Sequence, residues 1–247
     1  MKTRFLALTM FGVLAIGCGD SKGAYKPVDA KDVAPSTVAA GEELTLFPLA
    51  VGNKWVYDLK STQLTQAGAL PQSAEFTLEI KTVEDLEAGA KRASVDVLKG
   101  EVLQDRQIWK VDSTGIYQEQ TGLEKPLRPE PPQVAVPFPL EANKVSTWAG
   151  KAPAGAATGM LDMTQEVTTK EPEPVDTILG PISAYRVESK QVYKDAKGQD
   201  VVTRTVAWWA PKVGLVRHKQ EVVVTPVGKK PVKVQEQLMT LKQHTVK

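Results

Sequence analysis

The stretch Lys54-Trp55-Val56-Tyr57-Asp58-Leu59-Lys60 decides the fold. Side chains on a strand alternate between two faces, so Trp55, Tyr57 and Leu59 share one face and Lys54, Asp58 and Lys60 the other. The same period returns at Glu75 to Val83, where Phe76, Leu78 and Ile80 alternate with Glu75, Thr77, Glu79 and Lys81. Further on, Tyr185, Val187 and Tyr193 oppose Arg186, Glu188 and Lys190. Strands with one wet face belong to antiparallel sheets, because parallel sheets are covered on both sides.

Working outward, residues 93–99, 107–112, 115–120, 158–169, 201–209, 215–224 and 232–241 carry the same signal, giving about ten strands. Asp195-Ala196-Lys197-Gly198 and Pro226-Val227-Gly228-Lys229 each set a glycine where a hairpin needs a positive φ. Gly52-Asn53 is a turn feeding the first strand, and Pro211 and Gly214 bracket a reversal between Trp209 and Leu215. No stretch has the pattern of a long amphipathic helix; residues 84–91 are polar and contain Gly89. The expected class is mainly β, a curved antiparallel sheet or half-open β-barrel with few or no helices.

Two proline-rich stretches interrupt the strands. Residues 125–140 hold Pro126, Pro129, Pro131, Pro132, Pro137 and Pro139, and residues 171–174 form a shorter one. Such segments serve either as polyproline ligands for a partner groove or as stiff connectors between strands, and the connector is preferred here. Phe47-Pro48-Leu49 followed by Gly52-Asn53-Lys54-Trp55 is echoed by Phe138-Pro139-Leu140 followed by Asn143-Lys144 and Trp148. The echo suggests two related halves divided near 125–140.

The first twenty residues carry an address. Lys2 and Arg4 supply a short positive region, residues 5–16 are uncharged and largely apolar, and small residues precede the single cysteine, Cys18. That is a secretory signal, too short for a permanent membrane span. Leu14-Ala15-Ile16-Gly17-Cys18 resembles the bacterial lipobox. The resemblance implies cleavage between Gly17 and Cys18 and a diacylglycerol thioether on Cys18; two or three acyl chains anchor stably where one is marginal. Residues 1–17 are thus read as signal peptide, 18–43 as a lipidated tether rich in Gly, Ala, Ser, Pro and Asp, and 44–247 as the β domain. A coil of about 25 residues reaches roughly 25 to 30 Å, enough to hold the body clear of the head groups. Gly19 rather than Asp follows the cysteine, which by analogy with enteric bacteria leans towards the outer membrane, facing the periplasm or the cell surface.

The chain of 247 residues is 42% hydrophobic and 24% charged, enough to bury a core. Its 31 basic side chains fall to 29 once Lys2 and Arg4 are cut away, matching the 29 acidic ones. That balance, with Lys and Glu interspersed, speaks against a nucleic-acid partner. With Cys18 the only cysteine, the body has no disulfide, no thiolate nucleophile and no sulfur-ligated zinc.

Phe47-Pro48-Leu49-x-x-Gly52-Asn53-x-Trp55-x-Tyr57, with Trp208-Trp209-Ala210-Pro211-x-Val213-Gly214-Leu215-Val216, resembles a broad group of bacterial exported proteins and lipoproteins related to the DUF3108 and TapB-like families. The resemblance implies a β-rich, curved or half-open sheet and brings no catalytic residues with it.

Catalytic signatures are missing from the chain. His218 and His244 sit in strand-like alternation, without His-Glu-x-x-His spacing, a Gly-x-Ser-x-Gly turn or a phosphate-cradling loop. No enzyme activity, catalytic residue, metal site or cofactor is expected. Two readings remain. The body is a structural or protein-interaction module of the envelope; alternatively it carries a lipid or other apolar molecule on a concave face that includes Trp55, Tyr57, Phe76, Trp208 and Trp209.

Overall fold

The computed structural model describes residues 43–154 and 159–247; the signal segment, Gly17, Cys18 and the tether up to residue 42 lie outside the described residues. Twelve strands form one antiparallel sheet: β1 Lys54–Thr65, β2 Gly68–Asp85, β3 Lys91–Lys99, β4 Val102–Asp112, β5 Gly115–Gln120, β6 Gln133–Pro137, β7 Val145–Pro153, β8 Met160–Thr177, β9 Gly180–Lys194, β10 Asp200–Ala210, β11 Gly214–Thr225 and β12 Val232–Thr245. The only helical pieces among the described residues are 3-10 turns at Glu43–Leu46 and Glu87–Gly89.

The spatial order is β6-β5-β4-β3-β2-β1-β12-β11-β10-β9-β8-β7. The chain therefore runs as two consecutive six-stranded meanders. The first and last strands pair in the middle of the sheet, and β6 and β7 are left at its two edges. Every neighbouring pair is antiparallel, as the one-sided alternation predicts. The hairpin turns fall where the glycines call for them: Gly198 and Gly228 have φ of 74° and 71°, and the Gly198 amide donates to the Asp195 carbonyl at 2.9 Å.

The sheet curls until its edges nearly meet, so the expected curved sheet is a nearly closed barrel. At the seam the backbone ladder is reduced to a single bridge, in which Glu130 and Lys151 exchange hydrogen bonds of 2.8 and 2.9 Å. Side chains do the rest. The Trp148 indole donates to the carbonyls of Pro131 and Pro132, and Gln165 Nε2 donates to the Val134 carbonyl at 3.1 Å. Gly150 lets the strands meet, since a Cβ there would lie 2.2 Å from the Glu130 carbonyl oxygen. The proline-rich stretch thus supplies most of the seam's carbonyls.

Two strands differ from the sequence-based expectation. β6 hides inside the proline-rich stretch, and β7 has no run of alternating apolar residues because its pattern is broken by Ala149, Gly150 and Lys151. Both are edge strands, but β6 is buried on successive residues from Gln133 to Val136, so it shows no alternation, whereas β7 buries only Trp148, Ala152 and Pro153. A register shift between Thr169 and Pro172 then turns the β8–β9 hairpin aside. Its far end comes onto the outer face of β10 and β11, where Trp208 donates to Glu173 and the Arg217 guanidinium donates to the Asp176 carbonyl.

Candidate functional site

The inner face of the barrel is the surface that the sequence nominated. Trp55, Tyr57 and Phe76 lie on it and are buried, and the register sets Tyr57 opposite Phe76 and Trp55 opposite Leu78. Trp209 joins them from the far side of the sheet. Trp208 does not: neighbouring residues of a strand face opposite ways, so it stands on the outer face. There its indole Nε1 donates to Glu173 Oε1 at 2.6 Å and the Arg217 guanidinium lies 5.9 Å over its ring. The pair Trp208-Trp209 is thus split between the two faces. A register shift between these residues sets Trp209 opposite Leu215, with Val216 looped out of the ladder.

One residue organises the inner aromatics. Phe47, just after the 3-10 turn, reaches back into one end of the barrel and meets three indoles. Its ring centroid lies 5.7 Å from Trp55, 5.7 Å from Trp109 and 5.8 Å from Trp209, the last two edge-on. Edge-to-face packing at such spacing suits the ring quadrupoles. The three tryptophans come from β1, β4 and β10, which are far apart in the sheet, so this contact draws the curled sheet together. Most polar ends are satisfied: Trp55 Nε1 donates to the Val213 carbonyl at 2.5 Å, Trp109 Nε1 to Gln107 Oε1 at 2.9 Å and the Tyr57 hydroxyl to the Leu215 carbonyl at 2.8 Å, while Trp209 Nε1 is buried without a partner among the described residues. Burial alone pushes the Tyr57 phenol well above its ordinary range.

Away from this plug the inner face changes character. Ser61 pairs with Gln237, Gln237 with Gln220, and Gln220 with Thr205, all four buried. The next row runs Gln235, Val222, Thr203, Gln191 and Gln165, again all buried. Apart from Val222 these are uncharged groups that can both donate and accept, although both polar atoms of the Gln220 side chain are buried without a partner among the described residues. Gln235 and Gln237 both turn their amide nitrogens to Ser61 Oγ at 3.5 Å. On the other half, Asp105 is buried but accepts from Gln107, Thr121, Gly122 and Arg106, so its charge is fully coordinated. Closing twelve strands encloses more room than small side chains fill, and here indoles, phenol rings and long amides take it up.

Sequence reasoning missed Phe47 and Trp109 as members of this centre and missed the glutamine rows. Phe47 precedes the first strand, where alternation gives no face. Trp109 was within a recognised strand, but the Gln107 before it on the same face concealed that this face is buried. Glutamines at inward positions look polar in a hydropathy pattern even when they fill a core.

His218 is buried on the inner face between the plug and the glutamine rows, opposite Met239 and Ala207, and burial alone lowers its pKa to about 4. His244 lies near the end of β12, paired with Trp55 in the ladder. Among the described residues no group of three or more His, Cys, Asp or Glu is placed to hold a metal, and no helix is long and apolar enough to cross a membrane.

The chain matches no protein-family model and no curated protein, so its likeness to the DUF3108 and TapB-like families stays a resemblance. Two solved structures are similar in the course of the chain. One is a predicted lipoprotein from Parabacteroides distasonis, with 14% identity and a TM-score of 0.48, covering 81% of this chain and 98% of that one. The other is a predicted exported protein with a YmcC-like fold from Bacteroides fragilis, with 10% identity and a TM-score of 0.45 over the same shares of the two chains.

Proposed function

We propose that the protein is a lipid-anchored component of the bacterial cell envelope, held at the outer membrane by acyl chains on Cys18, and that its β body is a non-enzymatic structural or protein-interaction module. The export signal, the lipobox-like Leu14 to Cys18 and the coil-like composition of the tether support the anchor.

The observation that carries the reading of the body is the filled interior. Phe47 among three indoles closes one end, and two inward rows beyond it are mostly amides and hydroxyls. An apolar cargo inside the sheet would have to displace the aromatic plug or break amide contacts such as those of Gln235 and Gln237 with Ser61, at a cost of roughly 1 to 3 kcal/mol for each stranded group. Contacts with other envelope proteins then fall to the outer surface. The two histidines lie apart, and Asp105 is coordinated by its own neighbours, which supports a body without acid-base chemistry.

Labelled palmitate fed to cells expressing the wild type and Cys18→Ala tests the anchor. Label is expected on the wild type alone. Equal labelling defeats the proposal. Crosslinking in intact envelopes tests the module reading, which expects one or a few discrete protein adducts through the outer face.

A further inference from the structure

The far end of the β8–β9 hairpin is paired only with itself. The ladder from β8 to β7 ends at Thr168 and the ladder from β9 to β10 ends at Tyr185, so residues 172–177 and 180–184 pair with each other and with no neighbouring strand. Lys170 and Glu171 have no place in the β8–β9 register, which gives this ribbon a joint where it leaves the sheet. Its turn is closed internally: Thr177 Oγ1 donates to the Gly180 carbonyl at 2.8 Å and accepts from the Leu179 amide at 3.1 Å. Few contacts hold the ribbon against the outer face. By alternation Glu173, Val175 and Thr177 share its underside, and Val175 and Thr177 are buried. Glu173 Oε1 accepts from the Trp208 indole at 2.6 Å, Glu173 Oε2 lies 4.0 Å from Arg186, and the Asp176 carbonyl accepts from the Arg217 guanidinium. The fit is imperfect, because Arg186 Nε, Arg217 Nε and Ser183 Oγ are buried without a partner among the described residues. Each such group is costly to keep from water.

We propose that residues 172–184 form a strap that lifts from the outer face as a preformed ribbon, turning about Lys170 and Glu171, and uncovers Trp208 and Arg217. Lifting breaks no pairing of the sheet. It gives up the burial of Val175 and Thr177 and the contacts of Glu173 and Asp176, and in return the unpartnered guanidinium and hydroxyl groups regain water. That balance sets the strap apart from β1 and β12, which are paired on both sides and open only with the sheet. The surface it covers is distinctive: in register, Trp208 stands between Arg186 and Arg217 on the outer face. The closed strap shields this row and the lifted strap presents it. The device belongs to the body alone and depends neither on the lipid at Cys18 nor on a partner of the outer face.

The chain from residue 19 onward has no cysteine, so a single introduced thiol reports a single position. Val175→Cys places one under the strap. Val167→Cys places one at a fully buried position of β8 that is paired on both sides, and Leu179→Cys one at the exposed tip. Reaction with an aromatic disulfide reagent is followed by absorbance, in the regime where its rate tracks the open fraction. The thiol at 175 should react about a hundredfold or more faster than that at 167, yet well below the rate at 179. Trp208→Phe removes the hydrogen bond to Glu173 and should speed the reaction at 175 about tenfold, with no change at 167. Glu173→Gln, which keeps an acceptor for the indole, should speed it less. Thr177→Cys, the second buried position of the strap, should rank with 175, and circular dichroism checks that each variant is folded. Equal rates at 175 and 167 overturn the proposal, since the strap would then open only with the sheet. So does a rate at 175 equal to that at 179, which would mean that the strap is not seated, or a Trp208→Phe effect that is absent at 175 or the same at both buried positions.

Discussion

Replacing Phe47 by alanine removes the one side chain that touches three of the buried tryptophans at once. Phe47 is 5% exposed, and its ring meets Trp55, Trp109 and Trp209 from a segment outside the strands. Losing the transfer free energy of the ring costs about 1.5 to 3 kcal/mol. The lost aromatic contacts and the hole left behind add to it, because the three indoles are held by different strands and cannot all close in; buried Phe→Ala changes cost about 3 to 5 kcal/mol together. With a urea slope of about 2 to 3 kcal/mol per molar, the unfolding midpoint should drop by about 1 to 2 M. Equilibrium unfolding followed by tryptophan fluorescence and by far-ultraviolet circular dichroism measures this, with coincident curves expected if the sheet unfolds as one unit. A loss below 1 kcal/mol would mean that Phe47 is not a plug, and the case for a filled interior would fall with it.

Three further changes probe the same structure. Gly150→Ala puts a methyl group against the Glu130 carbonyl and should cost about 1 to 3 kcal/mol, with faster amide exchange in β6 and β7 but not in β1 and β12; unchanged exchange would argue against the seam. Tyr57→Phe should cost about 1 to 2 kcal/mol by stranding the Leu215 carbonyl, and the Tyr57 phenol should not ionise in alkaline absorbance titrations before the protein unfolds. His218 is neutral in the fold, with a pKa near 4 against 6.5 when unfolded. Below pH 6.5 the unfolded chain takes up a proton that the fold refuses, so stability falls by about 1.4 kcal/mol per unit towards pH 4, about 3 kcal/mol in all, and levels off below. His218→Gln should remove that part of the slope in urea midpoints taken across pH 4 to 7, and an unchanged slope would place the histidine in contact with water.

The strands that could be read from the sequence are those with one wet face. β1 and β2 alternate so regularly that Trp55, Tyr57, Phe76 and Leu78 could be set on the inner face in advance. The edges were not legible. β6 is buried from Gln133 to Val136 without alternation, β7 is mostly exposed, and the two close the barrel through prolyl carbonyls, a glycine and one indole, partners that no periodicity announces. Trp208 shows the limit within a single strand, because two adjacent tryptophans were grouped by composition although a strand must send them opposite ways. Gln220 and Gln237 show the other limit: both look polar in the sequence yet lie opposite each other and buried, and only the register reveals that.

The intact mass of the protein extracted from the membranes of an expressing bacterium tests the anchored-module account most directly. The predicted result is a chain that begins at Cys18 and carries the mass of a diacylglycerol on that residue, with or without a further acyl group on its amine. A chain cut elsewhere, or one beginning at Cys18 with no added lipid, would contradict it.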